Sequence, residues 1–324
     1  MIRHFFALCL CLQILVPVWA EPDILFTGRT EEGADIYRYS LSDKKVLPVA
    51  AGPGNQLHPA VSPDGTRLAF VSDHLGASSL YIANLLLPKQ EWTDVSAGMG
   101  AYAHPAFSPD GRYIAVSYAP DPEEPLRATS IVLVDFQKRT QQTVLRANKV
   151  QGVESDGPIL VVDRPCWVDQ KHLVIVEVEY GDLASGRITK STIFRLDLDT
   201  GALTRLAGGE SYYDVRGRAK GYMATMPSLV SVDNLPQLCY VAVEGRFERT
   251  PMTMPQDGGE KKVLKASLPE FFGPLLCFSD LWVYGSLNEE GTRQLTVRTK
   301  KAKPVFTKVP FAGSAFDPLF VPTQ

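Results

Sequence analysis

The sequence has few cysteines and histidines and no excess of either charge. Of its 324 residues, 5 are cysteine and 5 are histidine, and 33 Lys and Arg stand against 36 Asp and Glu. No basic tail or Lys/Arg block is present, so the chain has no electrostatic footprint for nucleic acid or for an anionic membrane. With 45% hydrophobic residues, its composition is that of a folded globular protein, and disorder, collagen and coiled coil are excluded.

Cysteines form no recognisable framework. Cys9 and Cys11 lie in the first 20 residues, and Cys166, Cys239 and Cys277 are widely spaced in the rest of the chain. An odd number with these spacings matches no disulfide scaffold, and no C-x-x-C pair is present to begin a zinc site. We interpret the three as small buried apolar residues and expect no metal and no cofactor.

Long apolar runs are absent after the N-terminus. Residues 5–18 form a mostly apolar run behind Arg3 and His4, and Val18-Trp19-Ala20 offers small or apolar groups at the two positions that a signal peptidase reads. This pattern predicts a signal peptide over residues 1–20, cleaved after Ala20. We then expect a single periplasmic domain over residues 21–324 with no membrane insertion, and a retained N-terminal anchor is the alternative.

Motifs of known catalytic sites are also missing. The sequence has no G-x-S-x-G elbow, H-E-x-x-H pair, phosphate-binding glycine loop or EF-hand loop. We predict no catalytic residue. Because a lyase or glycosidase can draw its acid and base from distant segments, an enzyme stays open as an alternative.

An internal repeat is the strongest feature that the sequence does have. Residues 58–73 read HPAVSPDGTRLAFVSD, and residues 104–119 read HPAFSPDGRYIAVSYA. In each copy a Ser-Pro-Asp-Gly turn separates two β segments. Proline presets φ for the turn, the aspartate can accept bonds from the following amides, and glycine can adopt φ > 0. The pattern predicts a tight β-hairpin.

Each hairpin is followed by two further β segments, so the repeat unit has four strands. Weaker copies begin at residues 164–179, 227–243 and 274–286. Residues 23–29 match a second strand that no first strand precedes, and residues 316–321 (FDPLFV) resemble the missing one. Five whole units and one shared by the termini give six. Repeats of about 45 residues with four strands each predict an all-β, six-bladed β-propeller of antiparallel blades, closed by a C-terminal strand.

The chain resembles the bacterial TolB-like propellers, whose WD-like repeats carry the His-Pro-x-x-Ser-Pro-Asp-Gly stretch seen twice here. The resemblance implies a periplasmic six-bladed propeller that binds proteins at its axial face. TolB itself carries a separate α/β domain before its propeller, and six blades leave no room for one after residue 20. We therefore do not expect a role as TolB itself in the Tol-Pal system.

Loop lengths predict where a partner binds. Residues 119–128, 146–163, 181–190 and 207–225 are long segments that all map to the face opposite the Ser-Pro-Asp-Gly turns. One of them is rich in residues that are common in protein interfaces. These candidate binding residues are Tyr212, Tyr213, Arg216, Arg218 and Tyr222. The alternative is a set of solvated loops whose tyrosines pack on the blade rims.

His58 and His104 complete the candidate binding residues, because they occupy matching repeat positions and are expected at the same face, beside the central channel. Imidazole is a common metal ligand and proton shuttle, so the pair invites a catalytic or metal-binding interpretation. A hydrogen bond within each blade would explain both copies without chemistry, and we predict no metal. His74 and His172 occupy different repeat positions.

These observations favour a non-enzymatic binding or scaffold module, with an envelope or periplasmic protein as partner. The alternative is a propeller lyase or hydrolase that acts on an oligosaccharide or peptide at the channel mouth.

Overall fold

The computed structural model describes residues 23–87, 91–123, 129–147, 159–182, 187–213, 219–232, 235–245, 248–264, 268, 271–278, 281–300 and 305–321. Residues 1–20, the predicted signal peptide, lie outside this part of the chain. Throughout the described ranges the regular structure is β-strand, arranged as six antiparallel sheets in a β-propeller, which confirms the predicted fold class. The described residues contain no helix that could cross a membrane.

The first three blades contain both chain ends and the two strong repeats. Blade 1 has the order β25-β1-β2-β3, with β1 (Ile24–Thr30), β2 (Gly33–Tyr39), β3 (Val46–Ala50) and β25 (Ser314–Phe320). Blade 2 contains β4 (Gln56–Val61), β5 (Arg67–Ser72), β6 (Ser79–Asn84) and β7 (Trp92–Asp94). Blade 3 contains β8 (Ala101–Phe107), β9 (Tyr113–Ala119), β10 (Ser130–Asp135) and β11 (Thr140–Arg146).

The other three blades follow the same plan. Blade 4 contains β12 (Ile159–Trp167), β13 (His172–Asp182), β14 (Arg187–Asp197), β15 (Leu203–Tyr213) and β16 (Ala219–Gly221). Blade 5 contains β17 (Met223–Val232), β18 (Leu235–Glu244), β19 (Glu248–Pro255) and β20 (Lys262–Val263). Blade 6 contains β21 (Phe271–Phe278), β22 (Leu281–Leu287), β23 (Arg293–Thr299) and β24 (Phe306–Lys308).

Apolar side chains of neighbouring blades pack face to face. Alternation along each strand places apolar residues on both sheet faces, and six buried clusters each join one blade to the next. The cluster between blades 6 and 1 brings Ile24 and Phe26 against Val283 and Val297. Strand β25 pairs with β1, with Thr27 opposite Phe316. First and last blades are therefore in contact.

The Ser-Pro-Asp-Gly turns have the predicted chemistry. The Asp64 carboxylate accepts hydrogen bonds from Ser62 Oγ at 2.5 Å and from the Thr66 amide at 3.0 Å. The Ser62 hydroxyl also accepts from the Arg67 amide at 2.9 Å, and Gly65 has φ of 72°. The second copy repeats the serine–aspartate bond between Ser108 and Asp110. A glycine is needed at this position because other residues are strained there.

Blade 4 departs from the predicted loop lengths. Strands β13, β14 and β15 each have 11 residues, whereas the equivalent strands of blades 2 and 3 have 3 to 7. The predicted long loop over residues 181–190 is therefore largely strand, and most of residues 207–225 belongs to β15, β16 and β17. The prediction of long loops is wrong for these two segments. Their described residues pair with neighbouring strands and so lengthen the sheet of blade 4.

The predicted burial of the cysteines holds where their side chains are described. Cys239 is buried in a blade interface, and Cys166 is half-buried; neither forms a disulfide. Burial raises the pKa of the Cys166 thiol to about 11, so it stays protonated at neutral pH. The side chain of Cys277 lies outside the described part.

The β25–β1 pairing can be tested with a disulfide. Arg29 and Ser314 are partners in the ladder, so the double variant Arg29→Cys/Ser314→Cys is expected to form an intramolecular disulfide on oxidation. The oxidised form should resist urea by about 2–4 kcal/mol more than the reduced form, because the cross-link restricts the unfolded chain. Thiol titration and urea unfolding measure both. The control pair Arg29→Cys/Ser42→Cys lies at opposite ends of blade 1 and should stay reduced. Free thiols in the first pair would contradict the pairing.

The turn predicts a pH-dependent stability. Hydrogen bonds from Ser62 and Thr66 lower the pKa of Asp64 to about 2. The contribution of the Asp64 carboxylate to the free energy of unfolding is therefore complete above the unfolded-state pKa of about 3.9, and it is lost as the pH falls towards 2. Asp64→Asn should cost less than about 1 kcal/mol at pH 7, since the group is exposed and screened.

Urea unfolding at pH 7, 4 and 3 should show this difference shrinking as the pH falls. The control Asp43→Asn removes an exposed carboxylate whose nearest hydroxyl is 3.4 Å away, and should change little. An equal loss for Asp64→Asn at pH 7 and pH 3 would rule out the carboxylate as the cause.

Candidate functional site

A ring of X-Pro dipeptides surrounds the propeller axis. The innermost strand of every blade carries one, and the residue before the proline has a positive φ in all six. The six residues are His58 (55°), His104 (50°), Arg164 (51°), Met226 (52°), Gly273 (99°) and Asp317 (48°). Repeat equivalence thus extends beyond the two His-Pro copies to the whole ring.

The backbone at these positions is strained. A proline disfavours the helical region for the residue before it, and positive φ is uncommon for any residue with a Cβ. Each such residue costs on the order of 1–3 kcal/mol, which the surrounding packing must offset. The strand ladder shifts register at the same places, for example between Leu57 and Ala60 and between Ala103 and Ala106. The residue before each proline is therefore part of a β-bulge at the channel.

A cavity of about 430 Å³ lies inside this ring. Its walls come from the residues that follow each X-Pro dipeptide along the innermost strands. They are mostly apolar, among them Val61, Phe107, Trp167, Leu229, Leu276 and Phe320. The cavity therefore occupies the half of the channel that leads to the first-to-second-strand turns. Loop lengths predict a binding surface at the opposite face.

Polar side chains from four adjacent blades meet at the floor of this cavity, which we call the waist: His58, His104, Arg164 and Asp317, together with Asp163. The rings of His58 and His104 are in contact, with centroids 3.8 Å apart and planes tilted by 34°. The Nε2 atom of His58 is 3.8 Å from Asp317 Oδ2, and an Arg164 guanidinium nitrogen is 3.6 Å from Asp317 Oδ1.

Asp163 fixes the orientation of His104. The Oδ1 atom of Asp163 lies 2.7 Å from His104 Nδ1 and accepts a hydrogen bond from Ser117 Oγ at 2.7 Å. Burial opposes ionisation of Asp163, but the charge and hydrogen bond of His104 and the nearby Arg164 outweigh it and hold the pKa of this carboxyl well below its usual range. An ionised carboxylate can accept but not donate, so the proton of this contact is on His104 Nδ1.

Electrostatics keep the other carboxylate ionised and His58 neutral. Burial raises the pKa of Asp317, but Arg164 and His58 overcome this and lower it. Burial, with His104 beside it, lowers the pKa of His58 to about 3. At neutral pH the waist therefore carries two carboxylates, one guanidinium and an uncharged His58.

Both predicted histidines lie at the waist, but they do not bond as expected. From the repeat, each histidine is predicted to form a hydrogen bond within its own blade. Instead His104 of blade 3 bonds Asp163 of blade 4, and the His104 amide approaches His58 Nδ1 of blade 2 at 3.4 Å. That interpretation is wrong because the bulge turns both side chains towards the axis and hence towards neighbouring blades.

Of the predicted Tyr/Arg cluster, Tyr212 and Tyr213 lie at the extended end of blade 4. Tyr212 and Tyr213 end strand β15 and pair with Lys220 and Ala219, but their side chains lie outside the described part. Arg216 and Arg218 lie outside the described residues.

Tyr222 is described and packs against the apolar cluster between blades 4 and 5. Its ring stacks on Tyr240 with centroids 6.4 Å apart, and the two hydroxyls are 3.4 Å apart. Burial, with the Tyr222 hydroxyl next to it, raises the pKa of Tyr240. Tyr222 thus has a packing role in the blade, which is the alternative that the sequence analysis left open for the tyrosines.

Three waist residues were missed from the sequence, namely Asp163, Arg164 and Asp317. Two of them had a readable signal, because each stands directly before the proline of its repeat, where His58 and His104 stand in theirs. Asp163 had none, since its role depends on the blade 4 strand running beside His104.

The waist offers two imidazoles, a guanidinium and two carboxylates below an apolar wall. Such a site can bind a polar or charged group at its floor while the wall holds an apolar group. The histidine and carboxylate groups can also coordinate a metal ion or transfer a proton.

No protein-family model matches the chain, and no curated protein does. Solved structures do match. TolB from Acinetobacter baumannii is 17% identical with a TM-score of 0.62, covering 94% of this chain and 67% of that one. A chain of a nidogen/laminin complex is 13% identical with a TM-score of 0.56, covering 94% and 99%.

A puromycin-hydrolyzing peptidase from Mycobacterium tuberculosis is 16% identical with a TM-score of 0.55, covering 89% of this chain and 45% of that one. At these identities the likeness concerns the fold. It shows that this chain has the six-bladed propeller architecture found in TolB.

Proposed function

We propose that the protein is an exported, non-enzymatic binding module that holds a segment of a partner protein in its axial cavity. The observation that carries this proposal is the cavity itself, an apolar wall over a charged floor at the centre of the ring. Its volume of about 430 Å³ falls in the range usual for ligand sites.

The cavity suits a short protein segment with one large apolar side chain and a polar group next to it. Burying an aromatic or aliphatic side chain of about 200 Å² contributes about 5 kcal/mol before the cost of association. Arg164 and Asp317 at the floor can pair with groups of either sign and fix the orientation of the segment. A micromolar complex corresponds to about 8 kcal/mol and association itself has a cost, so the polar contacts at the floor and the rest of the segment must supply the remaining free energy.

The structural neighbours support a protein partner. One is TolB, and another comes from a complex between nidogen and laminin, two proteins. A peptidase is also among them, so an enzymatic function remains the alternative.

Hydrolysis by a serine nucleophile is not favoured by the described residues. The Ser72 hydroxyl lies 3.0 Å from His74 Nδ1, which resembles a nucleophile–base pair. Ser72 is 1% exposed, however, and His74 is in ring contact with Tyr81 and Trp92. A substrate carbonyl cannot reach that hydroxyl, so the contact is structural.

Site-specific photo-crosslinking in cells tests where the partner binds. A photoreactive amino acid at Val61, which lines the cavity, is expected to capture a partner protein in a specific adduct. The matched control places it at Leu47, an exposed residue of the outer strand β3, and should give no such adduct. A third position, Tyr213, samples the extended end of blade 4.

The substitution Ala60→Phe narrows the cavity. The proposal is supported if the probe at Val61 captures a partner and this adduct is lost when Ala60→Phe is added. An adduct at Tyr213 alone would move the binding surface to the face predicted from loop lengths, with Tyr212, Arg216 and Arg218. Equal labelling at Val61 and Leu47 would overturn specific binding in the cavity.

Cleavage of the predicted signal peptide can be tested separately. Intact mass and N-terminal sequencing of the protein made in a Gram-negative host are expected to give a chain that begins at Glu21. Ala20→Arg should block processing, because signal peptidase requires a small residue at that position, and should leave the chain in the membrane fraction. The control Glu21→Gln should be processed normally. A full-length wild-type chain held in the membrane would favour the retained anchor.

A further inference from the structure

His58, His104 and Asp317 come together at the waist from three adjacent blades. Each offers one ligand atom, and these atoms all lie within 4.8 Å of one another. Two imidazole nitrogens and one carboxylate oxygen form a donor set that suits first-row transition metals, whereas magnesium and calcium prefer oxygen donors alone.

His104 has the arrangement of a metal-binding histidine. Its Nδ1–H donates to Asp163, so in the neutral ring Nε2 carries the lone pair. That Nε2 atom is buried and has no hydrogen-bond partner in the described structure. At metal sites, a carboxylate commonly holds one ring nitrogen of a histidine while the other nitrogen faces the metal.

The distance between His58 and Asp317 fits a bridging ion. Their nearest atoms are 3.8 Å apart, which is too long for a hydrogen bond. Two ligands each about 2.1 Å from one ion lie roughly 3.0–4.2 Å apart, depending on the angle between them. Because Arg164 approaches Asp317 through Oδ1, the Oδ2 atom facing His58 stays available.

The local charge also favours a cation. Asp163 and Asp317 bring two carboxylates to the waist against the single guanidinium of Arg164, so acidic groups outnumber fixed basic ones. A divalent ion would turn this into a net positive site. Its remaining coordination positions would then face the cavity, where an anionic group or water can complete them.

We propose that the waist binds one divalent first-row transition-metal ion through His58, His104 and Asp317, with Asp163 as the residue that positions His104. Binding requires the proton of His58 to be on Nδ1, which gives up the 3.4 Å contact from the His104 amide. The metal site shares Asp317 and the cavity floor with the partner proposed above, but metal binding is measured without a partner, so either proposal can fail while the other stands.

Calorimetry with the metal ion alone tests the site. The full mature chain is stripped with a chelator, dialysed and titrated with Zn²⁺ or Mn²⁺, and one ion per chain is expected. His104→Ala and Asp317→Asn should weaken binding at least 100-fold, and Asp163→Asn should weaken it 10- to 100-fold because His104 loses its orientation. Mg²⁺ should give no heat of binding.

The matched control is His172→Ala. This histidine also lies beside two carboxylates, with Nδ1 at 2.9 Å from Asp169 and Nε2 at 3.6 Å from Asp197, but in a turn away from the axis. Its removal should leave affinity and stoichiometry unchanged. Wild-type protein that binds neither Zn²⁺ nor Mn²⁺, or that binds them equally well in His104→Ala, would overturn the proposal.

A measurement on the wild-type chain avoids dependence on variants that fail to fold. With ¹⁵N-labelled histidine, Zn²⁺ should shift the ring nitrogen signals of two histidines, assigned as His58 and His104, and leave those of His74 and His172 in place. Shifts confined to His172 or His74 would place the metal elsewhere and reject the waist site.

Discussion

Apolar packing between neighbouring blades is the constraint on which the rest of the structure depends. No single blade can bury both faces of its own sheet, so each needs a neighbour on either side, and six buried clusters meet this need. The cluster between blades 6 and 1 also joins the two ends of the described chain. Because of this contact, strand β25 is held beside β1, and Asp317 on β25 is brought to the axis next to His58.

The ring also explains how strained residues persist at its centre. A positive φ before a proline costs free energy in the five blades where that residue is not glycine, and yet the same conformation recurs around the axis. Each bulge lies on a strand that is paired on its outer side and packed against the next blade, so relaxing it would disrupt both. The strain turns the residue before the proline towards the channel. Blades 1 to 4 thus supply polar side chains to a single site, although these residues are far apart in the sequence.

Much of the fold could be predicted from the sequence, whereas the site could be predicted only in part. The Ser-Pro-Asp-Gly turns around Asp64 and Asp110 gave the repeat length, and the repeat gave the propeller. Loop lengths misled at blade 4, where residues 181–182 and 187–190 belong to strands β13 and β14 and prolong the sheet. His58 and His104 were identified from their matching positions, but their contacts were not, because Asp163 and Asp317 reach them from other blades. Contacts between blades depend on ring geometry, which repeat spacing does not encode.

The identity of the residue before each repeat proline is where the six blades differ most in chemistry. Proline, bulge and positive φ are shared, but the side chains change from aspartate, histidine, histidine and arginine on blades 1 to 4 to methionine and glycine on blades 5 and 6. Propeller packing does not require this difference, since the side chain in question points to the channel and not into a blade interface. It divides the ring of X-Pro dipeptides into a polar part on blades 1 to 4 and a part without polar side chains on blades 5 and 6. A ligand with one charged and one apolar end would therefore bind off the axis, with its charged end towards His58, His104 and Asp317.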